Sequence, residues 1–337
     1  MVEIGVGKRV AVVGATGAVG TEMVTTLHAR KFPVGQIELF ASERSAARTL
    51  ETPYGVLTVN PFSLEAAREA DIILLAVSGD FAKQYGHALT ERGAVVIDNS
   101  SAFRLDADIP LIVPEINGHL AKGARLIANP NCTTAILVVA LAPLDRAFGL
   151  KKVIVSTYQA ASGAGAAAMA ELRQETANAL AGRPVGHKHF VHPIAFNVIP
   201  HIDSFQDNGY TREEMKVVWE SQKILGRPEL AVSCTAVRIP TFRAHAESVT
   251  IETHAEITPA AAVTVLMDAA GVTVVDDPAA AAYPMPLTAT GEYNVEVGRI
   301  RRNLVFGAHG LDLFLCGDQL LKGAALNAVQ IAECVIA

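Results

Sequence analysis

The sequence predicts an α/β protein with two domains, a parallel-sheet domain followed by an α+β domain whose sheet is mixed. Short apolar segments alternate with helical patterns over residues 1–131, as expected for βαβ units. The remainder of the chain is richer in strand patterns. A chain of 337 residues is also long enough for about two domains.

The composition excludes several classes of protein. The chain has 28 Lys and Arg residues against 34 Asp and Glu residues, a formal net charge of −6, whereas a nucleic-acid-binding protein needs a dense array of basic side chains. Half of the residues are hydrophobic, which excludes a disordered chain. The longest apolar stretch, Thr134–Leu144, is well below the roughly 20 residues of a membrane span.

The cysteines and the N-terminus indicate a compartment. Four cysteines without any CxxC pair predict neither a zinc site nor a disulfide framework. The first residues lead directly into a strand pattern and show no apolar signal segment. A reducing cytoplasm is therefore expected.

Five apolar segments of the first region predict strands of a parallel sheet. The early ones are apolar throughout rather than alternating, which is typical of strands covered on both faces. The segments are Arg9–Val13, Ile37–Ala41, Ile72–Val77, Val95–Asp98 and Arg125–Ala128. A helical pattern at Ala18–Ala29 joins the first two.

A glycine-rich segment, GATGAVG at residues 14–20, lies between the first predicted strand and the first predicted helix. Glycines allow a tight turn and a close approach of the backbone to a pyrophosphate at the helix N-terminus. This context predicts a Rossmann-type dinucleotide-binding domain. The spacing GxxGxxG also suits a strand-to-helix turn that binds no ligand.

The end of the second predicted strand indicates which dinucleotide fits. An NAD site usually has an acidic residue there for the ribose 2′-hydroxyl. Here Ser42, Glu43 and Arg44 follow the strand, and a hydroxyl with a guanidinium suits the 2′-phosphate of NADP. NADP is the expected cofactor, unless Glu43 turns inward and Arg44 is only a solvated surface charge.

The second region begins with a long apolar helical pattern at Thr133–Phe148. The elements predicted after it are a strand at Lys152–Tyr158, helices at Ala166–Ala181 and Thr211–Leu225, two facing strands at Ala231–Ile239 and His245–Ile257, and a last helix at Asp318–Val335. We expect residues 1–131, joined by the C-terminal helix 318–337, to bind the dinucleotide. Residues 132–317 are expected to form the catalytic and dimerisation domain.

Cys132 is a candidate nucleophile. It stands where a predicted strand gives way to the long apolar helix, with Asn131 as a candidate N-cap. The positive end of the helix dipole favours a reactive thiolate there, and the adjacent N–H groups can hold an oxyanion. The alternative is a small core residue. We expect core positions for the other three cysteines, Cys234, Cys316 and Cys334.

The segment 237–248 supplies partners for a thiol nucleophile. His245 is a candidate general acid or base near neutral pH, and Arg238 could bind a carboxylate through its forked guanidinium. The alternative is a turn histidine with surface arginines. A second group of histidines, His187, His189, His192 and His201, has no acidic residue nearby, so a surface or subunit contact is favoured over a metal site.

Six segments carry a family resemblance, in the family's order: GATGAVG at 14–20, SSAFR at 100–104, PNCTT at 130–134, QAASGAG at 159–165, RIPTFRAHAES at 238–248 and KGAALNAVQIAE at 322–333. Together they resemble aspartate-β-semialdehyde dehydrogenase, from about residue 8 to the C-terminus. Each segment alone is modest, and the ordered set is highly specific.

The resemblance implies roles for individual residues. Cys132 matches the nucleophile, His245 the acid–base catalyst and Gln159 the glutamine that orients the thiohemiacetal. The implied substrate ligands are Arg238 for the α-carboxylate, Glu213 for the amino group, Arg104 and Lys216 for phosphate (Lys223 being less favoured than Lys216), and Asn131. The implied NADP contacts are Gly14, Thr16, Gly17, Ala18, Val19, Ser42, Arg44, Ser45, Ser162, Gly163 and Gln319. No metal is implied.

Three positions depart from the family pattern. Ser45-Ala46-Ala47-Arg48 stands where Ser-Ala-Gly-Lys is common, and Gln319 replaces the asparagine of a common Asp-Asn-Leu. Ala246 replaces a frequent serine after the matched histidine. The first two concern the cofactor site, and none alters the nucleophile.

The implied activity is the NADPH-dependent reductive dephosphorylation of L-β-aspartyl phosphate to L-aspartate-β-semialdehyde through a thioester on Cys132. This reaction belongs to the biosynthesis of lysine (through diaminopimelate), threonine and methionine. The alternatives are an enzyme like N-acetylglutamyl-phosphate reductase, or a catalytically silent NADP-binding paralogue. The implied partners are a small-molecule substrate, inorganic phosphate and a second copy of the chain in a cytoplasmic homodimer, with neither nucleic acid nor membrane.

Overall fold

The structure, a computed structural model, describes residues 2–3 and 5–337. Met1 and Ile4, which belong to the predicted dinucleotide-binding domain, lie outside the described residues. The chain divides into two compact units, Met1–Asn131 with Ala324–Ala337 (unit 1) and Cys132–Gly323 (unit 2). Each unit contains one sheet with helices, and the predicted α/β class is confirmed.

Unit 1 contains an eight-stranded sheet in the order β4-β5-β3-β2-β6-β7-β8, with β1 also paired to β3. Its strands are β1 (Val2–Glu3), β2 (Lys8–Val13), β3 (Val34–Ala41), β4 (Thr49–Thr52), β5 (Gly55–Pro61), β6 (Ile72–Leu75), β7 (Val95–Asp98) and β8 (Leu126–Ala128). All pairs among β2, β3 and β5 to β8 are parallel, whereas β1 and β4 run antiparallel to their neighbours.

The unit 1 sheet is parallel at its centre because its strands are connected through helices and its central strands are buried. The helices are α1 (Ala18–Ala29), α2 (Leu64–Ala67), α3 (Gly79–Thr90), α4 (Pro114–Asn117) and α10 (Leu326–Ile336). Helix α10 packs against α1, and the guanidinium of Arg30 donates two hydrogen bonds of 2.6 Å to Glu333. The last helix was predicted from Asp318, but a π-helical turn at Leu321–Ala325 precedes α10.

Unit 2 contains a six-stranded mixed sheet in the order β10-β9-β11-β14-β13-β12. Its strands are β9 (Leu150–Gln159), β10 (Ala231–Arg238), β11 (His245–Thr253), β12 (Val272–Val274), β13 (Val295–Arg302) and β14 (Gly310–Gly317). The pairs β9–β10 and β12–β13 are parallel, and the other pairs are antiparallel.

The prediction that the strands now named β10 and β11 face each other is wrong, because β9 lies between them. The connection between β10 and β11 passes over the end of β9. There the N–H groups of Ala161 and Ser162 donate to the carbonyl groups of Thr241 and Phe242, at 2.8 and 3.2 Å. The proline in this connection therefore marks a crossing rather than a hairpin turn.

The helices of unit 2 are α5 (Cys132–Phe148), α6 (Ala166–Leu180), α7 (Arg212–Leu225), α8 (Pro259–Met267) and α9 (Pro286–Ala289). Helix α5 is apolar on all sides because it is buried between the sheet and the helices α7 and α8. Helix α7 begins with a capping box between Thr211 and Glu214 and ends at Gly226, whose φ is 66°. No helix among residues 2–3 and 5–337 is long and apolar enough to cross a membrane.

Candidate active site

Cys132 and His245 meet at one end of the unit 2 sheet. Cys132 is the first residue of α5, and His245 is the first residue of β11. The thiol sulfur lies 3.5 Å from Nε2 of His245, which is within hydrogen-bonding distance for sulfur. The packing of α5 against β11 brings together two residues that are 113 positions apart.

His245 is fully buried and held in one tautomer. Its Nδ1 accepts a 3.0 Å hydrogen bond from the backbone N–H of Ala160. The neutral ring must then carry its proton on Nε2, the nitrogen that faces Cys132. Burial, together with the charge of Arg238, lowers the pKa of His245 to about 3, so the ring is neutral at physiological pH.

Two glycines pack closely against Cys132 and His245. A Cβ on Gly323 would lie 2.7 Å from Cβ of Cys132, and a Cβ on Gly163 would lie 3.3 Å from Nε2 of His245. A larger residue at either position would press on the side chains of Cys132 or His245. Gly163 lies in the predicted cofactor segment, and Gly323 lies in the π-helical turn that precedes α10.

Arg238, the last residue of β10, is buried beside the pair. Its Nη1 donates a 2.6 Å hydrogen bond to the carbonyl of Ala160, so Ala160 orients both Arg238 and His245. Burial lowers the pKa of Arg238, while Glu213 and Cys132 act to raise it. A buried guanidinium of this kind is suited to bind a carboxylate.

A second group of polar side chains extends from Gln159 to the start of α7. The Thr157 hydroxyl donates to Oε1 of Gln159 at 3.0 Å, and Nε2 of Gln159 donates to Oε1 of Glu213 at 3.2 Å. Nζ of Lys216 donates to Oε2 of Glu213 at 3.1 Å and to Oδ2 of Asp203 at 2.7 Å. Glu213 and Lys216 are neighbours because they are three positions apart on α7, whereas Lys223 lies about 10 Å further along the helix axis.

Both the oxygen and the nitrogen of the Gln319 side-chain amide form hydrogen bonds within unit 2. Its Oε1 accepts a 2.7 Å hydrogen bond from the N–H of Ala244, and its amide group donates to Ser162. Ala244 has a φ of 65°, a conformation that a residue with a Cβ seldom adopts. Gln319 therefore supports the backbone beside His245 and the segment that carries Ser162.

Unit 1 contains a cleft of about 500 Å³ at the carboxyl ends of β2, β3 and β6. The strand order reverses at β2, which is where dinucleotides bind in such sheets. The lining includes Gly14, Thr16, Gly17, Ser42 and Arg44, but not Ala18, Val19 or Ser45.

Gly14, in the turn that lines this cleft, occupies a position that only glycine fits. Gly14 has a φ of 85°, and a Cβ there would lie 2.1 Å from the carbonyl oxygen of Ala76. The first amide groups of α1, from Ala18 onward, have no acceptor within the helix and can bind an anion. Arg44 is exposed and has no hydrogen bond or ion pair with any described residue.

Arg104 is buried in unit 1 among carbonyl groups. It donates hydrogen bonds of 2.8 Å to the carbonyl groups of Asn129 and Asn99. The Asn129 side chain in turn donates to Oδ1 of Asn99 and accepts from Asn327, both at 2.7 Å. These contacts order the backbone just before Asn131, which is itself buried.

The remaining histidines and cysteines lie elsewhere. The carboxylate of Glu171 accepts the N–H groups of Lys188, His189 and Phe190, so the histidine-rich segment is ordered by its backbone. No group of three or more His, Cys, Asp or Glu residues in the described part of the chain is arranged to hold a metal ion. Cys234 and Cys316 are buried in the core, and burial raises the pKa of both thiols.

Sequence reasoning did not single out Asp203, Gly323, Asn327 or Thr157. Gly323 and Asn327 lie in a segment that carried the resemblance, but no local pattern related them to the nucleophile or to Asn129. Thr157 occurs in an ordinary strand pattern. Asp203 lies in an irregular segment, and only the 2.7 Å distance from its Oδ2 to Nζ of Lys216 shows that it belongs to this group of side chains.

Comparisons with known proteins match both units. The family model "semialdehyde dehydrogenase, NAD binding domain" matches residues 9–124, and "semialdehyde dehydrogenase, dimerisation domain" matches residues 141–322. The aspartate-semialdehyde dehydrogenase of Bacillus subtilis is 46% identical over 98% of this chain and 98% of its own length. That of Synechocystis is 44% identical over 97% of each chain.

A solved structure is similar to this chain over almost its whole length. The crystal structure of aspartate semialdehyde dehydrogenase II from Vibrio cholerae, complexed with ASA, superposes with a TM-score of 0.94 at 41% identity. The superposition covers 98% of each chain. The comparison therefore extends over both units rather than over the dinucleotide-binding fold alone.

Proposed function

The chain belongs to the aspartate-semialdehyde dehydrogenase family, and we propose that it reduces L-β-aspartyl phosphate to L-aspartate-β-semialdehyde with NADPH, releasing inorganic phosphate. The observation that carries this proposal is the 3.5 Å approach of the Cys132 sulfur to Nε2 of His245. A silent paralogue would have no reason to retain a nucleophile and a donor in contact. The binding groups around this pair also suit the two ends of the substrate.

Cys132 is the nucleophile in this proposal. Its thiolate attacks the acyl carbon, the carbon–oxygen bond to phosphate breaks with its electron pair, and a thioester forms. When bound, NADPH supplies the hydride that reduces the thioester carbonyl. The thiohemiacetal oxyanion that results then collapses. Its carbonyl re-forms while the carbon–sulfur bond breaks with the electron pair on sulfur, which releases the aldehyde and restores the thiolate.

His245 assists through Nε2. The tautomer set by Ala160 leaves this nitrogen as a hydrogen-bond donor to the thiolate, and then to the oxyanion that forms beside it. Nε2 is also the only ring nitrogen available to exchange a proton with the reacting oxygen. Gln159 directly precedes Ala160, which donates to His245, and would orient the thiohemiacetal.

The substrate is held by groups of opposite charge. Arg238 would bind the α-carboxylate in a bidentate manner, and Glu213 would bind the α-amino group. Arg104 and Lys216 would bind phosphate, and Asn131 lies next to the nucleophile in sequence. The role of Glu213 favours a free amino acid over N-acetylglutamyl phosphate, which has no ammonium group to bind.

NADP is the proposed cofactor of unit 1. Ser42 and Arg44 line its cleft, and the exposed guanidinium of Arg44 suits the 2′-phosphate. The pyrophosphate would lie against the glycine turn and the first amide groups of α1. An Arg44→Ala variant should raise KM for NADP by about tenfold or more and leave KM for NAD unchanged, because a charge-assisted contact is lost only with NADP. Equal changes for both cofactors would contradict this role of Arg44.

We also propose a cytoplasmic homodimer. The match of residues 141–322 to a dimerisation-domain model supports the dimer. Four free cysteines suit a reducing compartment. The mass in solution, measured by light scattering, tests the dimer.

The activity is tested in the oxidative direction. Purified protein should reduce NADP with aspartate semialdehyde only when phosphate is present, and Cys132→Ala should lose this activity by a factor of about 10⁴ or more. A folded wild-type protein without turnover would overturn the enzyme assignment. Full activity in Cys132→Ala would overturn the choice of nucleophile. Parallel assays with N-acetylglutamate semialdehyde test the alternative substrate.

A further inference from the structure

Lys216 is held between two carboxylates. Its Nζ lies 2.7 Å from Oδ2 of Asp203 and 3.1 Å from Oε2 of Glu213. The Lys216 side chain is only 17% exposed, so solvent screens these contacts less than at a surface ion pair. Glu213 is already assigned a partner in the proposed reaction, whereas Asp203 is not.

Asp203 is anchored to the backbone for its contact with Lys216. Its φ is 69°, a left-handed conformation that Asp tolerates better than most residues. Its Oδ1 accepts a 2.8 Å hydrogen bond from the N–H of Ser204, which leaves Oδ2 directed at the lysine. A residue held in a strained conformation with both oxygens in use is suited to a positioning role.

Glu213 is shared between Lys216 and the proposed substrate. Its Oε1 accepts from Gln159, and its Oε2 accepts from Nζ of Lys216. In the proposed reaction the substrate's ammonium group binds to this same carboxylate. Two ammonium groups against one carboxylate repel each other, so the arriving substrate weakens the hold of Glu213 on Lys216.

We propose that Asp203 is a positioning residue that keeps the Lys216 ammonium group in the site when the substrate's ammonium group replaces it on Glu213. Lys216 is then free on the Glu213 side to bind phosphate, while Asp203 retains it from the other side. This inference rests on the proposed function. It makes phosphate affinity, rather than the chemical step, depend on the charge of Asp203.

The test is an Asp203→Asn variant. Asn keeps an acceptor for the Ser204 N–H and tolerates a positive φ, so the backbone contact is retained, while the charge and the acceptor oxygen that faces Lys216 are both lost. The matched control is Asp71→Asn in unit 1, where one oxygen likewise accepts a backbone N–H (Arg9, 2.8 Å) and the other accepts the Arg9 guanidinium (3.1 Å). Both variants are assayed for phosphate-dependent NADP reduction with aspartate semialdehyde.

Asp203→Asn should raise KM for phosphate by about tenfold and change kcat by less than about threefold, because one charge-assisted contact is lost. Asp71→Asn should change neither by more than about twofold. Burial lowers the pKa of Lys216, but the carboxylates of Glu213 and Asp203 together outweigh burial and raise this pKa above its ordinary value. Loss of the Asp203 charge should lower it, so the alkaline limb of kcat/KM for phosphate should also move to lower pH in Asp203→Asn. A merely structural role for Asp203 would leave this limb in place.

The outcomes separate this inference from the function it rests on. An unchanged KM for phosphate in Asp203→Asn, with an active wild-type enzyme, overturns the role of Asp203 alone. A wild-type protein whose turnover does not depend on phosphate overturns the proposed function itself. If Asp203→Asn does not fold, Asp203→Gly allows the same measurement, since glycine accepts the positive φ without strain.

Discussion

The backbone N–H of Ala160 donates a 3.0 Å hydrogen bond to Nδ1 of His245. This contact decides which nitrogen of the ring carries the proton, and Nε2 faces the Cys132 sulfur at 3.5 Å. The neutral imidazole is therefore a donor to the sulfur, and a lasting imidazolium would require the Ala160 contact to break. The structure thus favours hydrogen-bond donation over permanent charge as the contribution of His245.

Two substitutions at His245 test this assignment. His245→Ala should lower kcat by about 10²–10³, as the loss of an oxyanion donor does elsewhere. His245→Gln can place an N–H group near the position of Nε2, so its kcat should exceed that of His245→Ala by about tenfold. Steady-state kinetics under saturating substrates provide the comparison. Equal kcat values for the two variants would show that proton transfer, not donation, is the main contribution.

The pKa of His245 also predicts a pH dependence of stability. Burial lowers it from 6.5 to about 3, so below pH 6.5 the unfolded chain takes up a proton that the folded chain does not. The stability associated with neutral His245 is present above pH 6.5 and is lost as the pH falls toward 3. From pH 8 to pH 5 the loss should be about 2 kcal/mol.

Chemical denaturation of the wild type and of His245→Gln at pH 8 and pH 5 measures this effect. The variant has no imidazole to titrate, so its free energy of unfolding should fall by about 2 kcal/mol less than that of the wild type. The same loss in both proteins would mean that the His245 ring is protonated in the folded state.

Local patterns in the sequence predicted several elements well. The helix Ala18–Ala29 was predicted with the bounds that the structure has, because the glycine turn precedes it and the turn at Lys31-Phe32-Pro33 follows it. Cys132 begins α5, close to the predicted Thr133, since the change from strand to apolar helix is visible locally.

Other features of the fold and of the candidate site could not be predicted from local patterns. The position of β9 between β10 and β11 depends on hydrogen bonds between residues about 80 to 100 positions apart, and no local pattern records it. The contact of Asp203 with Lys216 joins an irregular segment to a helix. An irregular segment has no regular repeat of side-chain positions, so its sequence does not indicate which way a side chain points. The π-helical turn before α10 was missed because its residues are also good helix formers.

The raised pKa of Glu247 predicts a second pH dependence of stability, opposite in sign to that of His245. It is fully buried on β11, and neither carboxylate oxygen has a hydrogen-bond partner among the described residues. Burial raises its pKa well above 4.5, so the folded chain keeps it protonated where the unfolded chain ionises it. Its contribution to stability is therefore present below pH 4.5 and is lost as the pH rises.

Glu247→Gln removes this ionisation while retaining the shape of the side chain. The variant should match the wild type near pH 4 and exceed its free energy of unfolding at pH 8 by on the order of 1–3 kcal/mol. The same change at Glu51, which is exposed, is the control and should alter the free energy of unfolding by no more than about 0.5 kcal/mol. A variant that is less stable than the wild type at pH 8 would indicate that Glu247 is ionised and bound in the folded state.

The close packing of Gly323 against Cys132 predicts that a larger residue at position 323 would displace the thiol and lower activity. In Gly323→Ala the new Cβ would lie 2.7 Å from Cβ and 3.1 Å from Cα of Cys132, so the start of α5 must shift. A displacement of this kind should lower kcat by about 10- to 100-fold, because the sulfur would no longer be aligned for attack on the carbonyl face of the acyl group. Gly186→Ala is the matched control, since nothing lies within 4 Å of its Cβ and its φ is not positive. Its kcat should remain within about twofold of the wild type.

The alkylation rate of Cys132 by iodoacetamide, measured alongside kcat, locates the effect at the thiol. An unchanged kcat and alkylation rate in Gly323→Ala would show that the π-helical turn yields to the added methyl group and leaves Cys132 in place.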